Sequence, residues 1–482
     1  MSLSSALSIA QNSLLNTSRQ TSVVSRNVTE KDNADYARRT AVLSSTAPGA
    51  RVVVIQRATN EQLFRQNLAA VSSWSGQTTL YTGMDRLSLA VDGVDNALSP
   101  ATSITELQKA LQIYSATPSS RTLADNAINA ARNVVRSLND GNAAIQTFRV
   151  ETDQQISTAV GELNTLLSQF QDVNKEIVAG TRTGRDVNDA LDQRDAILKK
   201  ISEYVPISSF TRGDNDMVLM TADGATLFET VPRSITFEPS AAYASGAAGN
   251  KVYIDGVPMT IGSGGNTTAG GKIAGLLQLR DSVATTMQSQ LDEVARGLIT
   301  AFAETDPNGV LADAAGLFTW PGAPALPADG TLINGLAGQI SLNQAFVTNP
   351  EYLRDGGANG TGYIHNTEGG ASYADLLNKY GERIDQPMTF DAATGIGGSV
   401  SLAIYSANSI GWFQGIRQAA STAAESKEAL AVRTAEALSN DTGVNVDMEM
   451  SLLLELENSY SASARIIKAV DDMLANLLAA VG

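Results

Sequence analysis

The sequence predicts a multidomain α+β protein with coiled-coil helices at both termini, a long α-helical bundle and inserted β-rich domains. Apolar residues recur at heptad spacing near both ends of the chain, which is typical of coiled-coil seams. Long runs of helical periodicity fill most of residues 60 to 200, and short β-type runs with Gly-rich turns follow from 206 to 265. A chain of 482 residues is also longer than a single hydrophobic core usually organises, so several domains are expected.

The N-terminal helix combines a weak apolar seam with an almost uncharged outer face. Between the seam positions of "LSIAQNSLLNTSRQTSVVSRNV", residues 7 to 28, the only charges are Arg19 and Arg26. A helix that faces water normally carries Glu and Lys at such positions. Because this seam buries too little apolar area to hold an isolated helix pair, we expect it to pack between copies of the chain. The predicted interface residues at this end are Leu3, Leu7, Ala10, Leu14, Thr17, Thr21, Val24 and Val28.

The C-terminal stretch repeats this pattern. Acidic residues decorate its first half, and after Asp472 the ending "MLANLLAAVG" has no charged side chain. We infer that the two ends pair with each other and become ordered on assembly. The alternative, that they are core helices of a monomeric bundle, stays open. The predicted interface residues at this end are Val446, Leu453, Leu456, Tyr460, Ile467, Val470, Leu474 and Leu477.

Changes in residue composition and periodicity along the chain predict four domains. Residues 205 to 265 contain short β-type runs such as "KVYIDGVPMTI", and residues 305 to 400 are rich in Gly, Pro, Ala and Asn. The predicted domains are a terminal coiled-coil domain (1–50 and 440–482), a helical bundle domain (51–204, 266–304 and 401–439), a β-rich insert (205–265) and a loop- or β-rich surface insert (305–400).

Composition excludes several classes of function. The formal net charge of −16 argues against nucleic-acid binding, which needs Lys and Arg. The absence of Cys rules out disulfides and thiolate chemistry, and His365 is the only histidine. No apolar run approaches the roughly 20 residues of a membrane span, so we expect no membrane insertion. Since a basic leader followed by an apolar run is also missing, we expect no cleaved signal peptide.

The short motifs that could carry chemistry are weak. "GSGGNTTAGG", from Gly262, lacks the Lys-Ser/Thr ending of a phosphate loop. "RGD" at residues 212 to 214 and "DPNGVLADAAG", from Asp306, fit turns, since the latter lacks calcium-ligand spacing. His365 has no second ligand at metal-binding spacing. We therefore expect no enzyme activity, no cofactor and no metal.

Four stretches of the chain resemble motifs of known proteins. "NVTEKDNADYARRTAVL" is similar to the N-terminal motif of flagellar axial proteins, with Asp35 in place of the usual Gly. "GVNVDMEMSLLLELENSYSASARIIKAVDDMLANLL" resembles the axial C-terminal motif. "NDALDQRDAILKKISEYVPIS" and "GGKIAGLLQLRD" resemble segments typical of the junction protein, and their charged residues taken alone predict salt bridges or helix caps. The motif residues are Asn27, Tyr36, Arg38, Asp192, Arg194, Asp195, Gly275, Leu276, Arg280 and Asp281. With these motifs the chain resembles the hook-associated protein 1 (FlgK) family of bacterial flagella.

The resemblance implies a structural role at the junction between hook and filament, built by helical self-assembly. It implies contacts with the hook protein and the second hook-associated junction protein, and an export chaperone on residues 446 to 478. It also implies type III export without a cleaved signal peptide, to the extracellular flagellum. Two alternatives stay open: another axial protein (the second junction protein or a flagellin), and a secreted adhesin or hydrolase using residues 305 to 400.

Overall fold

The computed structural model describes residues 3–46, 49–259 and 270–481. The chain forms two compact units. Unit 1 comprises Met1–Trp74, Glu162–Ser234 and Ser426–Gly482, and unit 2 comprises Ser75–Gly161 and Ile235–Glu425. Most of the chain is helical, and short antiparallel sheets lie between the helices in the sequence. The predicted multidomain α+β class is therefore confirmed.

Most helices lie where the apolar periodicity predicts them. Helix α3 starts with Pro100 at its first position, and Ser99 caps it by accepting a hydrogen bond from the backbone N–H of Thr102. A π-helical turn, Leu279–Val283, joins α6 to α7. The helices are α1 (Leu3–Thr29), α2 (Glu61–Val91), α3 (Pro100–Ala116), α4 (Arg121–Arg182), α5 (Asn188–Tyr204), α6 (Gly271–Gln278), α7 (Ala284–Ala301), α8 (Gln344–Thr348), α9 (Tyr352–Asp355), α10 (Asp375–Asp385), α11 (Leu402–Thr442) and α12 (Val446–Val481).

The described strands pair only with antiparallel neighbours. They form the hairpin β1–β2, the three-stranded sheets β3-β4-β5 and β6-β7-β8, and the pairs β9–β10 and β11–β12. The strands are β1 (Arg39–Thr46), β2 (Gly49–Arg57), β3 (Ile207–Thr211), β4 (Met217–Thr221), β5 (Thr226–Phe228), β6 (Ile235–Thr236), β7 (Tyr253–Ile254), β8 (Val257–Pro258), β9 (Phe318–Thr319), β10 (Ser341–Leu342), β11 (Pro387–Phe390) and β12 (Gly398–Ser401).

In unit 1, the terminal helices α1 and α12 lie side by side, and the hairpin β1–β2 packs on α1. The part of α4 from Glu162 onwards carries a buried apolar stripe. Phe170 of this stripe packs edge-on against Phe228 of β5, with the ring centroids 5.0 Å apart. This contact anchors the sheet β3-β4-β5 to the helices of unit 1.

Unit 2 is built on a continuous apolar core around helices α2, α3, α4, α7, α10 and α11. Phe302 stacks on Tyr380 of α10 at 5.2 Å and meets Phe318 of β9 edge-on at 5.1 Å. Residues 305 to 400 therefore contribute large side chains to this core in addition to surface loops.

The β-rich segment predicted at residues 205 to 265 is divided between the two units. Strands β3 to β5 belong to unit 1, while β6 to β8 belong to unit 2. Each short sheet buries some apolar side chains within its own unit, such as Phe228 in unit 1 and Ile254 in unit 2. The four-domain division of the chain stays a prediction.

Candidate assembly interface

The two terminal helices form an antiparallel pair within one chain. The hydroxyl groups of Ser13 and Ser463 hydrogen-bond at 2.7 Å, and Asn27 contacts Glu449 further along both helices. A higher residue number in α1 is thus paired with a lower one in α12, so the two helices run in opposite directions. Side-chain contacts between α1 and α12 therefore hold the two ends of the chain together.

The buried side of α12 follows a strict seven-residue repeat. Its most buried members are Glu449, Leu456, Ser463 and Val470. Glu449 and Ser463 are polar, which is why the apolar pattern alone did not identify them. They were missed, although they share the heptad position of the predicted Leu456 and Val470.

The predicted interface residues differ in how far this pairing covers them. Three of α1 and two of α12 are buried: Ala10, Thr17, Val24, Leu456 and Val470. Others are half-buried: Leu3, Leu7, Leu14, Thr21, Val28, Val446, Leu453 and Ile467. The remaining three are exposed: Tyr460, Leu474 and Leu477. The pairing inside one chain therefore leaves part of the predicted seam at the surface.

Asn27 is the centre of a buried polar junction between the two ends of the chain. Its Nδ2 donates to the backbone oxygen of Arg39 at 2.9 Å and to Oε2 of Glu449 at 3.0 Å. Its Oδ1 accepts from the hydroxyl of Tyr36 at 2.8 Å and from the backbone N–H of Arg39 at 3.1 Å. The amide uses its full hydrogen-bonding capacity, which fixes the chain where α1 leads into β1.

Glu449 closes this junction from the C-terminal side. Its carboxylate is fully buried and accepts a second hydrogen bond, 2.6 Å long, from Nε of Arg38. The guanidinium of Arg39 lies 4.8 Å from the centre of the Tyr36 ring. The structure thus brings Asn27, Tyr36 and Arg38 of the N-terminal motif together with Glu449 of the C-terminal motif.

Three aspartates of α5 face three arginines of the N-terminal segment. The aspartates lie three residues apart and therefore share one side of the helix. Arg57 contacts Asp192 at 2.9 Å and Asp195 at 2.5 Å, and Arg39 contacts Asp192 at 2.9 Å. Each neighbour in the resulting chain of ion pairs has the opposite charge. In order, its members are Arg26, Asp189, Arg39, Asp192, Arg57 and Asp195.

The pKa values of Asp189 and Asp192 shift in opposite directions from the ordinary value. Burial raises the pKa of Asp192 above its ordinary value, although Arg57 and Arg39 oppose the shift. Burial acts in the same direction on Asp189, but hydrogen bonds from Arg26 and Arg39 hold its pKa below the ordinary value. The Asp192 carboxylate therefore depends more on its arginine partners than the Asp189 carboxylate does.

Arg194 points away from this chain of ion pairs. Its Nη1 donates to Oδ1 of Asn174 at 3.1 Å and to the backbone oxygen of Asn215 at 2.6 Å. Burial lowers its pKa to about 10. Arg194 therefore connects α5 to α4 and to the loop before β4.

In unit 2, the motif residues hold an irregular segment against helices. Arg280 is fully buried and donates to Oδ1 of Asp153 at 2.5 Å, to Asp281 at 2.6 Å and to the backbone oxygen of Asn250 at 2.7 Å. Burial opposes the charge of Arg280, but the hydrogen bonds that it donates to Asp281 and Asp153 raise its pKa. The backbone N–H of Gly249 also donates to Asp281 at 3.2 Å. Arg280 and Asp281 together fix residues 249 and 250, which lie outside regular secondary structure.

Gly275 and Leu276 have packing roles. A Cβ added at Gly275 would lie 2.8 Å from the backbone oxygen of Gly76, so a glycine is needed where α6 approaches α2. Leu276 is buried.

Buried acidic residues in and after α7 hold the segment 305 to 400, and the sequence patterns did not point to them. Asp292 accepts from the backbone N–H groups of Gly335 and Ala337, both at 2.8 Å. Glu304 accepts from the backbone N–H of Asn359 at 2.7 Å. Burial raises the pKa of Asp292 to about 6, although these hydrogen bonds oppose the shift. Acidic residues inside an otherwise apolar helical segment are the signal that could have identified them.

The weak chemical motifs occupy turns and loops. Arg212 of "RGD" pairs with Asp216 at 2.7 Å, and Asp214 pairs with Arg182 at 2.8 Å. Asp306 accepts hydrogen bonds from the backbone of its own loop, and Nε2 of His365 lies 2.9 Å from the Thr305 oxygen. The Gly-rich stretch from Gly262 falls almost wholly outside the described residues. Among residues 3–46, 49–259 and 270–481, no cluster of three His, Asp or Glu residues is placed to hold a metal ion.

No helix in the described ranges combines the length and the apolar character needed to cross a membrane.

Comparison with known proteins matches parts of the chain to flagellar proteins. Residues 91–318 match the family model of the flagellar hook-associated protein FlgK helical domain. Residues 438–480 match the flagellar basal body rod FlgEFG protein C-terminal model. Flagellar hook-associated protein 1 of Escherichia coli K12 is 25% identical over 353 residues, which cover 67% of this chain and 61% of that protein. Over these segments the chain is similar to flagellar hook-associated protein 1.

Other similar FlgK proteins show the same partial coverage. The Salmonella typhimurium LT2 protein is 25% identical over 64% of this chain and 58% of its own length, and the Bacillus subtilis 168 protein is 23% identical over 73% and 72%. The flagellar hook junction protein FlgK from Burkholderia pseudomallei has a solved structure that aligns with a TM-score of 0.43 and 21% identity, over 53% of this chain and 46% of that one. The chain thus spans about three fifths of the length of the enterobacterial relatives.

Proposed function

We propose that this protein is a structural component of the bacterial flagellum that forms the junction between hook and filament by helical self-assembly. The observation that carries the proposal is the uncovered end of α12. Residues 471 to 480 are exposed, and among them Leu474, Leu477 and Leu478 continue the apolar heptads beyond the segment that α1 covers. Apolar residues left exposed in one helix favour an interface with another molecule.

The similarity to flagellar hook-associated protein 1 supports a structural role for this chain. We propose further that the chain has no catalytic activity. Its partners in this proposal are further copies of itself, the hook protein on one side and the second hook-associated junction protein on the other. In this proposal the protein reaches the extracellular flagellum by type III export. The FlgK helical-domain match favours this role over that of another axial protein or of an adhesin or hydrolase.

The experiment that tests the role is removal of the first 28 residues. The truncated chain lacks α1 up to Val28 and therefore loses the seam partner of α12. We expect circular dichroism to show that the middle of the chain remains folded, while microscopy shows cells that produce no normal filaments. Cells that make the full-length chain from the same vector are the control. A normal yield of filaments with the truncated chain would contradict the proposal.

We also propose that an export chaperone binds α12 before assembly. Leu474 is exposed, whereas Leu453 is half-buried against the rest of unit 1. A charge placed on either apolar position should weaken binding, since apolar contacts would be replaced by a buried carboxylate. We expect calorimetry with the flagellar export chaperone of the same bacterium to show this for Leu453→Asp and Leu474→Asp. Glu457→Gln serves as the control, and unchanged affinity in both Asp variants would exclude α12.

A further inference from the structure

A small cavity in unit 2 lies between the α2–α3 turn and helices α7 and α11. Its volume is about 20 Å³, which is enough for one particle of the size of a water molecule. Three of its lining side chains are polar: Asp92 from the turn, and Ser406 and Ser409 from α11. The other lining residues are apolar, so the three polar groups meet in an otherwise apolar space.

The carboxyl group of Asp92 is buried without a partner. Asp92 is 3% exposed. In the part of the chain that the structure describes, its Oδ2 accepts no hydrogen bond, and burial alone, with no charged neighbour, raises its pKa to about 6. Six other described carboxyl groups are buried, and each bonds to an arginine or to backbone N–H groups. These are Asp153, Asp192, Asp292, Glu293, Glu304 and Glu449.

The two serines offer acceptors to the cavity, because each hydroxyl hydrogen is already used. Ser406 donates to the backbone oxygen of Leu402 at 2.8 Å. Ser409 donates to Oε1 of Gln290 at 2.6 Å, and the Nε2 of that amide is occupied by the Thr394 oxygen. A hydroxyl has one hydrogen and two lone pairs, so only lone pairs remain. An ionised Asp92 also only accepts, so the cavity suits a positively charged ligand and disfavours an anion.

The size of the cavity selects among cations. Magnesium keeps several of its waters, and calcium takes six to eight oxygen ligands, so neither fits a space for one water-sized particle with three polar side chains. Potassium and ammonium ions are close to a water molecule in size. An isolated buried carboxylate is otherwise neutralised by taking up a proton. The proton is therefore the competitor of such a cation at Asp92.

We propose that this cavity binds one monovalent cation of the size of a water molecule, potassium or ammonium, when Asp92 is ionised. The carboxylate of Asp92 supplies the charge, and the hydroxyl oxygens of Ser406 and Ser409 supply further ligands. The bound ion connects the α2–α3 turn to α11 and thereby stabilises unit 2. This site does not depend on the proposed self-assembly.

Scanning calorimetry of the full chain in different chloride salts tests the site. At pH 8 and constant ionic strength, potassium or ammonium should raise the unfolding midpoint of unit 2 by about 2 °C or more relative to tetramethylammonium, which is too large for the cavity. At pH 4 the proton occupies the carboxylate, and the salts should give the same midpoint. Equal midpoints in all three salts at pH 8 would show that the cavity holds water only, and would overturn the proposal.

Variants separate this site from general effects of salt. Asp92→Asn removes the charge and should abolish the difference between the salts, while Asp125→Asn, on the surface of α4, should keep it. Ser406→Ala removes one oxygen ligand and should reduce the difference, although its own helical hydrogen bond is of little consequence for folding. A potassium effect of the same size in Asp92→Asn as in the unmodified chain would place the ion elsewhere and overturn the proposal.

Discussion

Asn27 and Glu449, 422 positions apart in the chain, are joined by a buried hydrogen bond of 3.0 Å between Nδ2 and Oε2. The amide is also bonded to Tyr36 and Arg39, and the carboxylate is also bonded to Arg38. The N-terminal and C-terminal motifs that resemble those of flagellar axial proteins therefore meet in one polar junction. Its groups are buried, so each depends on the others for a partner.

Removal of the Glu449 carboxylate should destabilise unit 1. In Glu449→Ala, Asn27 and Arg38 lose an acceptor inside the protein, which costs about 2 to 4 kcal/mol of unfolding free energy. Denaturant titration followed by circular dichroism measures this difference. The exposed Glu457→Ala should change the free energy by less than about 0.5 kcal/mol. Equal stability of the two variants would show that the junction does not hold the termini together.

The two central aspartates of α5 should differ in importance. Asp192 is largely buried between Arg39 and Arg57, while the side chain of Asp189 is 66% exposed. Asp192→Asn leaves two arginines short of a charged acceptor and should cost about 2 kcal/mol or more. Asp189→Asn should cost less than about 1 kcal/mol, because water can replace the lost contacts. Thermal unfolding of both variants would contradict this ranking if Asp189→Asn were the less stable.

Arg280 should matter far more than a comparable surface arginine. Arg280→Ala leaves the carboxylate of Asp153 buried without its cation, at a cost of about 3 to 5 kcal/mol. Arg417 pairs with Asp85 near the surface, so Arg417→Ala should cost less than about 1 kcal/mol. Both residues belong to unit 2, which makes them a matched pair. Similar losses in the two variants, measured by urea denaturation, would be evidence against the role of Arg280.

Asp92 should make the stability of the protein depend on pH. This carboxyl group lines a small cavity with Met287, Leu291 and Phe413, and burial raises its pKa to about 6. The folded state thus holds the proton more tightly than the unfolded state, and stability falls as pH rises from about 4 to about 6. Asp92→Asn, which carries no charge, should be more stable than the unmodified chain at pH 8 by up to about 3 kcal/mol.

The pH series has an internal control. At pH 4 the carboxyl group is protonated in the folded state, so Asp92→Asn and the unmodified chain should have similar stability. Asp125→Asn, at an exposed position of α4, should follow the unmodified chain at every pH. A gain in stability for Asp92→Asn that is the same at pH 4 and pH 8 would exclude ionisation of Asp92 as the cause.

Hydrogen exchange should follow the pairing of α1 with α12. Amides opposite α1, such as those near Leu456 and Ser463, lie where the pairing buries α12, whereas residues 471 to 480 are exposed. We expect the last turns of α12 to exchange fastest and the helices of unit 2 to exchange slowest. Mass spectrometry of the dilute protein measures this order. Equal protection along the whole of α12 and α7 would contradict the view that the ends become ordered on assembly.

The sequence by itself determined the fold class, the terminal heptads and the FlgK motifs, because helical periodicity and motif spacing are properties of neighbouring residues. Only the tertiary structure decided that Glu449 and Ser463 share the buried side of α12, that Asn27 reaches Glu449, and that Asp292 and Glu304 hold the segment 305 to 400. A polar side chain can be buried when a distant group satisfies its hydrogen bonds, and that group is fixed by the folded chain rather than by adjacent residues. The β-type runs at 205 to 265 are a second case. They look alike in sequence, but contacts with distant residues decide that β3 to β5 pack in unit 1 and β6 to β8 in unit 2.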